Sequence, residues 1–246
     1  MKTAITITAR LKSVRLPRKV TLEIKGIPMI VHLIRRLKLA RRADGVIICT
    51  STHPQDDVLV DIAAQEGIDC FRGSEDDVLD RLLGACLTFG VDLISSCTAD
   101  NPFVDPIYID RLLEYHVEQG HDYTRVDGLP FGTFTYAVSR SALVKACEIK
   151  AAEDTEVWGG YFTQTGLFKT GVLQVTDPAV RRPDLRLTVD VPEDFELVRR
   201  IFDELYGEGR VFPLAEIVAL LDSRPDLRAI NACVEQKAAK PIRLKA

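Results

Sequence analysis

Ala4-Ile5-Thr6-Ile7-Thr8, followed at once by Ala9-Arg10-Leu11-Lys12-Ser13-Val14-Arg15-Leu16-Pro17-Arg18-Lys19, is the stretch from which the rest of this chain is read. The first five residues form an apolar, β-branched run of the length of a buried strand. The next eleven hold five cations and no glycine. A strand that ends in a cationic loop is suited to holding phosphates. Without glycine, backbone amides alone do not do the holding, so Arg10, Ser13, Arg15 and Lys19 become the candidate ligands, with Ala9 at the mouth of the loop. Pro17 fixes one backbone angle and biases Leu16 toward an extended form, which limits collapse of the loop. A charge run is often only a solvated turn; its position at a strand end argues for a site.

Outward from this point, short apolar runs alternate with helical patterns. Ala4 to Thr8, Gly45 to Thr50, Asp69 to Arg72 and Val91 to Ser96 read as strands, each followed by a segment of 3.6-residue periodicity. Such alternation predicts an α/β fold, a single Rossmann-like domain with a mixed, mostly parallel sheet flanked by helices. The first helix is expected over about Pro28 to Ala40, and Asp105-Pro106 supplies an N-cap and first-turn proline for another. After Gly120 the alternation stops: Tyr123 to Val138 reads as an irregular strand pair interrupted by Asp127-Gly128-Leu129-Pro130. Helices are expected at Ser139 to Glu148 and Asp154 to Phe162. Strands at Gly171 to Val175 and Leu185 to Val189 then lead into helices at Pro192 to Tyr206 and Pro213 to Leu221. These patterns suggest one α/β unit over residues 1–234, with 121–180 as an insertion for acceptor binding and dimerisation, and a basic, frayed tail over 235–246.

Composition limits the function classes. The 246 residues are 46% apolar and 28% charged, ordinary for a globular chain with a full core, and the formal net charge of -4 argues against a nucleic-acid binder. The basic loop is therefore a local site and not a broad face. Six scattered cysteines without a C-x-x-C pair disfavour zinc and structural disulfides. The short apolar run at the N-terminus is unlike a signal peptide, and no run has the length of a membrane span, so a cytoplasmic location without membrane insertion is expected. The four isolated histidines, His32, His53, His116 and His121, read as structural.

In an open α/β sheet, ligands gather beyond the carboxyl ends of the strands. Two such loops carry a carboxylate: Thr98-Ala99-Asp100-Asn101-Pro102, and Asp190-Val191-Pro192-Glu193-Asp194. Taken singly, Asp190 also suits a helix N-cap and Asp100 a turn. Facing each other across the cationic loop, they suit a hard divalent cation completed by phosphate oxygens. A third element, Phe71-Arg72-Gly73-Ser74-Glu75-Asp76-Asp77-Val78-Leu79-Asp80-Arg81, ends a strand with a glycine turn. There Ser74 or Glu75 is expected to open an acidic helical turn suited to base and ribose contacts, with Arg81 the preferred ligand contact.

On these residues the chain resembles the cytidylyltransferases that make CMP-activated sugars, the group containing 3-deoxy-manno-octulosonate and acylneuraminate cytidylyltransferases and the spore coat polysaccharide biosynthesis protein F type. The resemblance rests on Ala9-Arg10 through Lys19, on Lys25-Gly26-Ile27-Pro28-Met29-Ile30, on Arg72 through Arg81, and on Leu187-Thr188-Val189-Asp190-Val191-Pro192-Glu193-Asp194. The family's G-D-x-P stands here as Ala99-Asp100-Asn101-Pro102. The resemblance implies Mg2+ held by Asp100 and Asp190, with triphosphate binding by Arg10, Ser13, Arg15 and Lys19. It further implies nucleotide contacts from Arg72, Gly73, Ser74 and Arg81, and catalytic roles for Arg10, Lys19 and Asp100. The implied reaction is attack of a sugar acceptor on the α-phosphorus of CTP with release of pyrophosphate, in a protein that pairs as a homodimer. The acceptor half departs from the pattern at Gly132-Thr133-Phe134-Thr135-Tyr136 and Asp154-Thr155-Glu156-Val157-Trp158, leaving Asn101, Tyr136, Glu156 and Trp158 as weaker acceptor candidates. A nucleotide-sugar glycosyltransferase and a non-catalytic nucleotide-binding homologue are the competing readings.

Overall fold

The computed structural model describes residues 1–13, 15–236 and 241–245; Val14, residues 237–240 and Ala246, which include part of the expected tail, lie outside the described residues. In chain order the elements begin with β1 (Thr3–Thr8), the small hairpin β2 (Glu23–Ile24) and β3 (Ile27–Pro28), and α1 (Met29–Leu37). Next come β4 (Val46–Ser51), α2 (Asp57–Gln65), β5 (Asp69–Gly73), α3 (Val78–Phe89), β6 (Leu93–Thr98) and α4 (Pro106–Gln119). The reversed part follows as β7 (Tyr123–Asp127), β8 (Tyr136–Ser139), α5 (Arg140–Ile149), α6 (Gly159–Thr163) and β9 (Thr170–Gln174). Three helices complete the chain, α7 (Pro192–Leu205), α8 (Leu214–Ser223) and α9 (Pro225–Ala229).

Seven strands form one sheet in the order β5-β4-β1-β6-β8-β7-β9. β1 pairs in parallel with both β4 and β6, which puts the cationic loop at the centre of the carboxyl edge. β8 runs antiparallel to β6 and to β7, while β9 returns parallel to β7. Strand side chains alternate strictly between two cores. Ile5, Ile7, Val46, Ile48 and Leu93 pack with α1, α2, α4, α7 and α8 on one face, whereas Ala4, Ile47, Cys49 and Ile94 pack with α3, α5 and α6 on the other. A sheet covered on both faces needs the near-continuous apolar runs that this sequence shows.

Several expected elements change form. α1 stops at Leu37, three residues early, and the helix expected from Asp154 is confined to α6. Leu185 to Val189 is not a strand but an extended segment with an isolated bridge between Phe131 and Arg186. Its hydrogen bonds go to loops: Phe131 N–H donates to Leu185 O at 2.8 Å, Leu187 N–H to Phe131 O at 2.7 Å, and Val189 N–H to Asp100 O at 2.8 Å. Local apolar pattern does not distinguish a strand from an extended segment sewn to loops. The described end of the tail is docked, not frayed: Leu244 bridges to Lys150, Ala151 N–H donates to Arg243 O, and Ile242 packs on the second core.

Gly132 allows the 185–189 segment to lie close. Its φ is +91°, and a Cβ there would stand 2.6 Å from the Thr188 amide nitrogen. Gly132→Ala is expected to cost about 2–3 kcal/mol, read as a lower urea midpoint; unchanged stability would show that this contact does not constrain the fold.

Candidate active site

The cationic loop is held from below by its own apolar residues and one buried carboxylate. Leu11 is buried and Leu16 packs against the first core. Asp56, with no exposed surface, accepts from Leu11 N–H at 2.8 Å and from the Ser51 hydroxyl. With alternate residues anchored, Arg10, Lys12, Ser13, Arg15 and Lys19 line a cavity of about 370 Å³, together with Thr8, Ala9, Thr98, Asp100, Glu156 and Asp190. Clefts of about 460 and 550 Å³ elsewhere are as large or larger, but neither gathers a strand-end cationic loop and facing carboxylates, so chemistry and not volume identifies the site.

Asp100 and Asp190 reach this cavity from different elements. Asp100 follows β6, the neighbour of β1, and the bond from Val189 N–H to Asp100 O lays Asp190 beside it. Neither is a helix cap: Asp194 Oδ2 accepts from Asp190 N–H and Val191 N–H at the start of α7. Each carboxylate has one oxygen fastened to the frame and one turned to the cavity. Asp100 Oδ1 accepts from the Thr98 hydroxyl, while Oδ2 lies 2.6 Å from Lys19 Nζ. Asp190 Oδ2 lies 3.0 Å from Arg186 Nη2, while Oδ1 lies 3.0 Å from Lys19 Nζ and 3.0 Å from Arg15 Nη2. Burial alone would lower the Lys19 pKa, but Asp100 and Asp190 hold it above the ordinary lysine value. Burial likewise pushes Asp190 upward, and Lys19, Arg15 and Arg186 outweigh it to hold that carboxyl below its ordinary value.

Two inward-facing carboxylate oxygens converging on one ammonium mark a point where positive charge is stable. Among the described residues no cluster of three or more His, Cys, Asp or Glu side chains gathers to hold a metal ion. The donor set therefore fits a hard divalent cation only as a partial cage, two carboxylate oxygens from the protein with phosphate and water completing the shell, which is how Mg2+ is commonly bound.

The remaining candidate residues fall into three groups. Arg10 reaches the second wall, its Nη1 donating to Glu75 O at 2.5 Å and lying 2.9 Å from Asp76 Oδ1, with Nη2 3.5 Å from Glu156. Arg72 turns away to Ser51 O, His53 O and Asp57. Gly73 packs against Phe71 and Arg81, and the Ser74 hydroxyl accepts from Asp77 N–H. The helix cap is Asp77, not Ser74 or Glu75, and α3 begins one residue later. Arg81 lines the cavity but is 1% exposed, and its Nη1 donates to the Ser74 and Glu75 carbonyls, so it supports the turn from beneath. Of the acceptor candidates, Glu156 lines the cavity; Tyr136 and Trp158 lie in an aromatic cluster with Tyr123 and Phe162, and Asn101 Nδ2 donates to Thr98 Oγ1. Lys12, Asp56 and Arg186 were not among the expected site residues. Lys12 was visible as a loop cation and Arg186 as a cation four residues before Asp190, whereas nothing local to Asp56 marks its partner Leu11, 45 residues away.

A doubly covered, mostly parallel sheet that carries a cationic loop and two facing carboxylates at its carboxyl edge has the build of a nucleotidyltransferase. This chain belongs to the cytidylyltransferase family, whose model matches residues 4–217. It is 32% identical to the spore coat polysaccharide biosynthesis protein SpsF of Bacillus subtilis over 227 residues, covering 89% of this chain and 94% of that protein. A cytidylyltransferase structure from Leptospira borgpetersenii superposes with a TM-score of 0.84 at 24% identity, over 93% of this chain and 97% of that one. CMP:2-keto-3-deoxy-manno-octonic acid synthetase complexed with CTP shares the fold at a TM-score of 0.64 and 18% identity, over 83% and 99% of the two chains.

The charge arrangement has a pH signature in metal-free protein. Because the Asp190 pKa is lowered from 3.8 on folding, its contribution to stability is present above pH 3.8 and lost as pH falls through the folded value. Lys19, raised from 10.5, contributes below that pH and loses its contribution as pH rises through the folded value. Urea unfolding in chelator should therefore show a shallower acid loss for Asp190→Asn than for the parent; parallel curves would count against this assignment.

Proposed function

We propose that this protein is a Mg2+-dependent cytidylyltransferase that transfers CMP from CTP to a sugar acceptor, an acidic sugar or sugar phosphate, in the synthesis of a surface polysaccharide or glycan. The observation that carries the proposal is the pair of inward oxygens of Asp100 and Asp190 meeting at Lys19 Nζ, at the mouth of the cationic loop. Arg10, Ser13, Arg15 and Lys19 bind the triphosphate. Arg10 and Lys19 exchange their carboxylate partners for phosphate oxygens as charge moves onto the leaving group. An acceptor oxygen attacks the α-phosphorus and loses its proton, the bond from that phosphorus to the oxygen bridging to the β-phosphate breaks, and pyrophosphate departs. A divalent ion between Asp100 and Asp190 supplies neutralisation of phosphate charge when bound.

Glu156 lies beside Arg10 on the cavity wall, which supports assigning it to acceptor contact in this reading. The preference for CTP rests on family membership and on the CTP bound by the synthetase of related fold. Cytoplasmic location and homodimerisation through the 121–180 region complete the proposal. It is compatible with the finding that, among the described residues, no helix is long and apolar enough to cross a membrane.

Calorimetric titration with CTP, UTP, ATP and GTP, each with and without Mg2+, tests the nucleotide half: the expectation is selective binding of CTP that Mg2+ strengthens, and equal or absent binding of all four would refute it. Pyrophosphate release with a panel of acidic sugars and sugar phosphates tests the reaction. Asp100→Asn and Asp190→Asn should each lower turnover by on the order of a hundredfold or more, and Lys19→Ala by more than about tenfold. Near-parental turnover in either aspartate variant would remove the metal assignment.

A further inference from the structure

Beyond the residues that face the cavity, Asp190 is held by a bracket that begins in the 185–189 segment and ends in the C-terminal region. Arg186 is its centre. Nη2 lies 3.0 Å from Asp190 Oδ2, the oxygen turned away from the cavity. The same guanidinium grips Asp194 with both Nε and Nη2 at 2.9 Å, and Asp194 has no exposed surface. Asn231 Nδ2 donates to Asp194 Oδ1 at 2.8 Å and to Arg186 O at 3.2 Å, and Gln236 Oε1 accepts from Arg186 Nη1 at 2.6 Å. Above the guanidinium stands the Phe131 ring, with Arg186 Cζ 5.7 Å from its centroid.

A guanidinium with three nitrogens bonded and one face covered has little freedom, and bidentate pairing with a buried carboxylate fixes its plane as well as its position. Arg186 then determines which way the Asp190 carboxylate turns. With Oδ2 pinned, Oδ1 is left to face Lys19 and Arg15. Asn231 and Gln236 lie beyond residue 217, where the family match ends. They are carried next to the site by α9, whose Leu227 is 1% exposed, and by Ile230 packed against the first core.

We infer that Arg186 is a positioning residue that orients Asp190 toward the cavity, and that the C-terminal region, through Asn231 on Asp194, completes the divalent-cation site from behind. The inference rests on the reading of Asp190 as a metal ligand. A partner that orients a ligand acts on cation affinity more than on acceptor affinity, typically by about tenfold to a hundredfold.

The test is calorimetric titration of full-length protein with CTP at graded Mn2+ and Mg2+ concentrations, together with turnover, for Arg186→Met, Arg186→Lys, Asn231→Leu and Asp190→Asn. Arg186→Met and Asn231→Leu should each raise the cation concentration at half-effect by about tenfold or more, with the acceptor KM unchanged, and Arg186→Lys should restore part of the loss. Leu143→Ala, a buried position of α5 in the second core on the other face of the sheet, should lower the Tm and leave the cation dependence intact. If Arg186→Met does not fold, Arg186→Lys carries the comparison with the parent. Parental cation dependence in the Arg186 and Asn231 variants while Asp190→Asn shifts it, or an equal shift in Leu143→Ala, overturns the inference alone. Parental cation dependence in Asp190→Asn overturns the metal reading itself, and the inference with it.

Discussion

Two carboxylates brought to one point repel each other, and the structure around this site is organised so that positive charge stands between them. Lys19 bridges the inward oxygens of Asp100 and Asp190, Arg15 adds to the second, and Arg186 holds its outer oxygen. All three side chains are largely buried, so leaving any of them unpaired is costly.

The cationic loop obeys a related rule. Four of its five positive groups are matched by carboxylates: Lys12 with Glu75, Arg10 with Asp76 and Glu156, Arg15 with Asp190, and Lys19 with Asp100 and Asp190. Several of these carboxylates are well exposed, and exposed pairs contribute about 0–1 kcal/mol each. A triphosphate can take over such cations at little cost, because charge is exchanged for charge and the loop is already anchored by Leu11, Leu16 and Asp56. Rigidity thus lies beneath the loop and adaptability on its surface. The Glu75–Asp77 turn and the Thr155–Glu156 segment share this wall, joined by Thr155 N–H donating to Asp76 O and by the Thr155 hydroxyl donating to Asp77. Arg10 pairs with both parts of this wall, with Asp76 and with Glu156.

Much of this was legible along the chain. The alternating apolar runs indicate a doubly covered, mostly parallel sheet, and the carboxyl-edge rule places the loop and Asp100 together; Asp190 reaches them from an extended segment sewn to loops and not from the strand expected at Leu185 to Val189. The family resemblance implies nucleotide contacts for Arg72 and Ser74; in the structure Arg72 donates to the Ser51 and His53 carbonyls and the Ser74 hydroxyl accepts from Asp77 N–H. A polar residue in a strand-end turn has two uses, binding a ligand and satisfying the turn's own backbone, and local sequence does not choose between them. Arg81 illustrates the same ambiguity under burial, its Nη1 donating to both the Ser74 and Glu75 carbonyls.

What the sequence determined by itself is whatever depends on neighbours a few residues apart: strand and helix periodicity, the cation density of the Ala9–Lys19 loop, the Asp105-Pro106 cap, and the presence of carboxylates after two apolar runs. Only the tertiary structure decided which oxygen of each aspartate faces the cavity, that Leu185 to Val189 is sewn to loops and not to the sheet, and that Asn231 stands behind Asp190. Even where one fastening is local, Thr98 to Asp100 or Arg186 to Asp190, the outcome turns on groups far apart in sequence, Lys19 with both aspartates, Phe131 with Leu187 and Asn231 with Asp194, meeting in a shared volume. Their geometry exists only once the chain has closed around them.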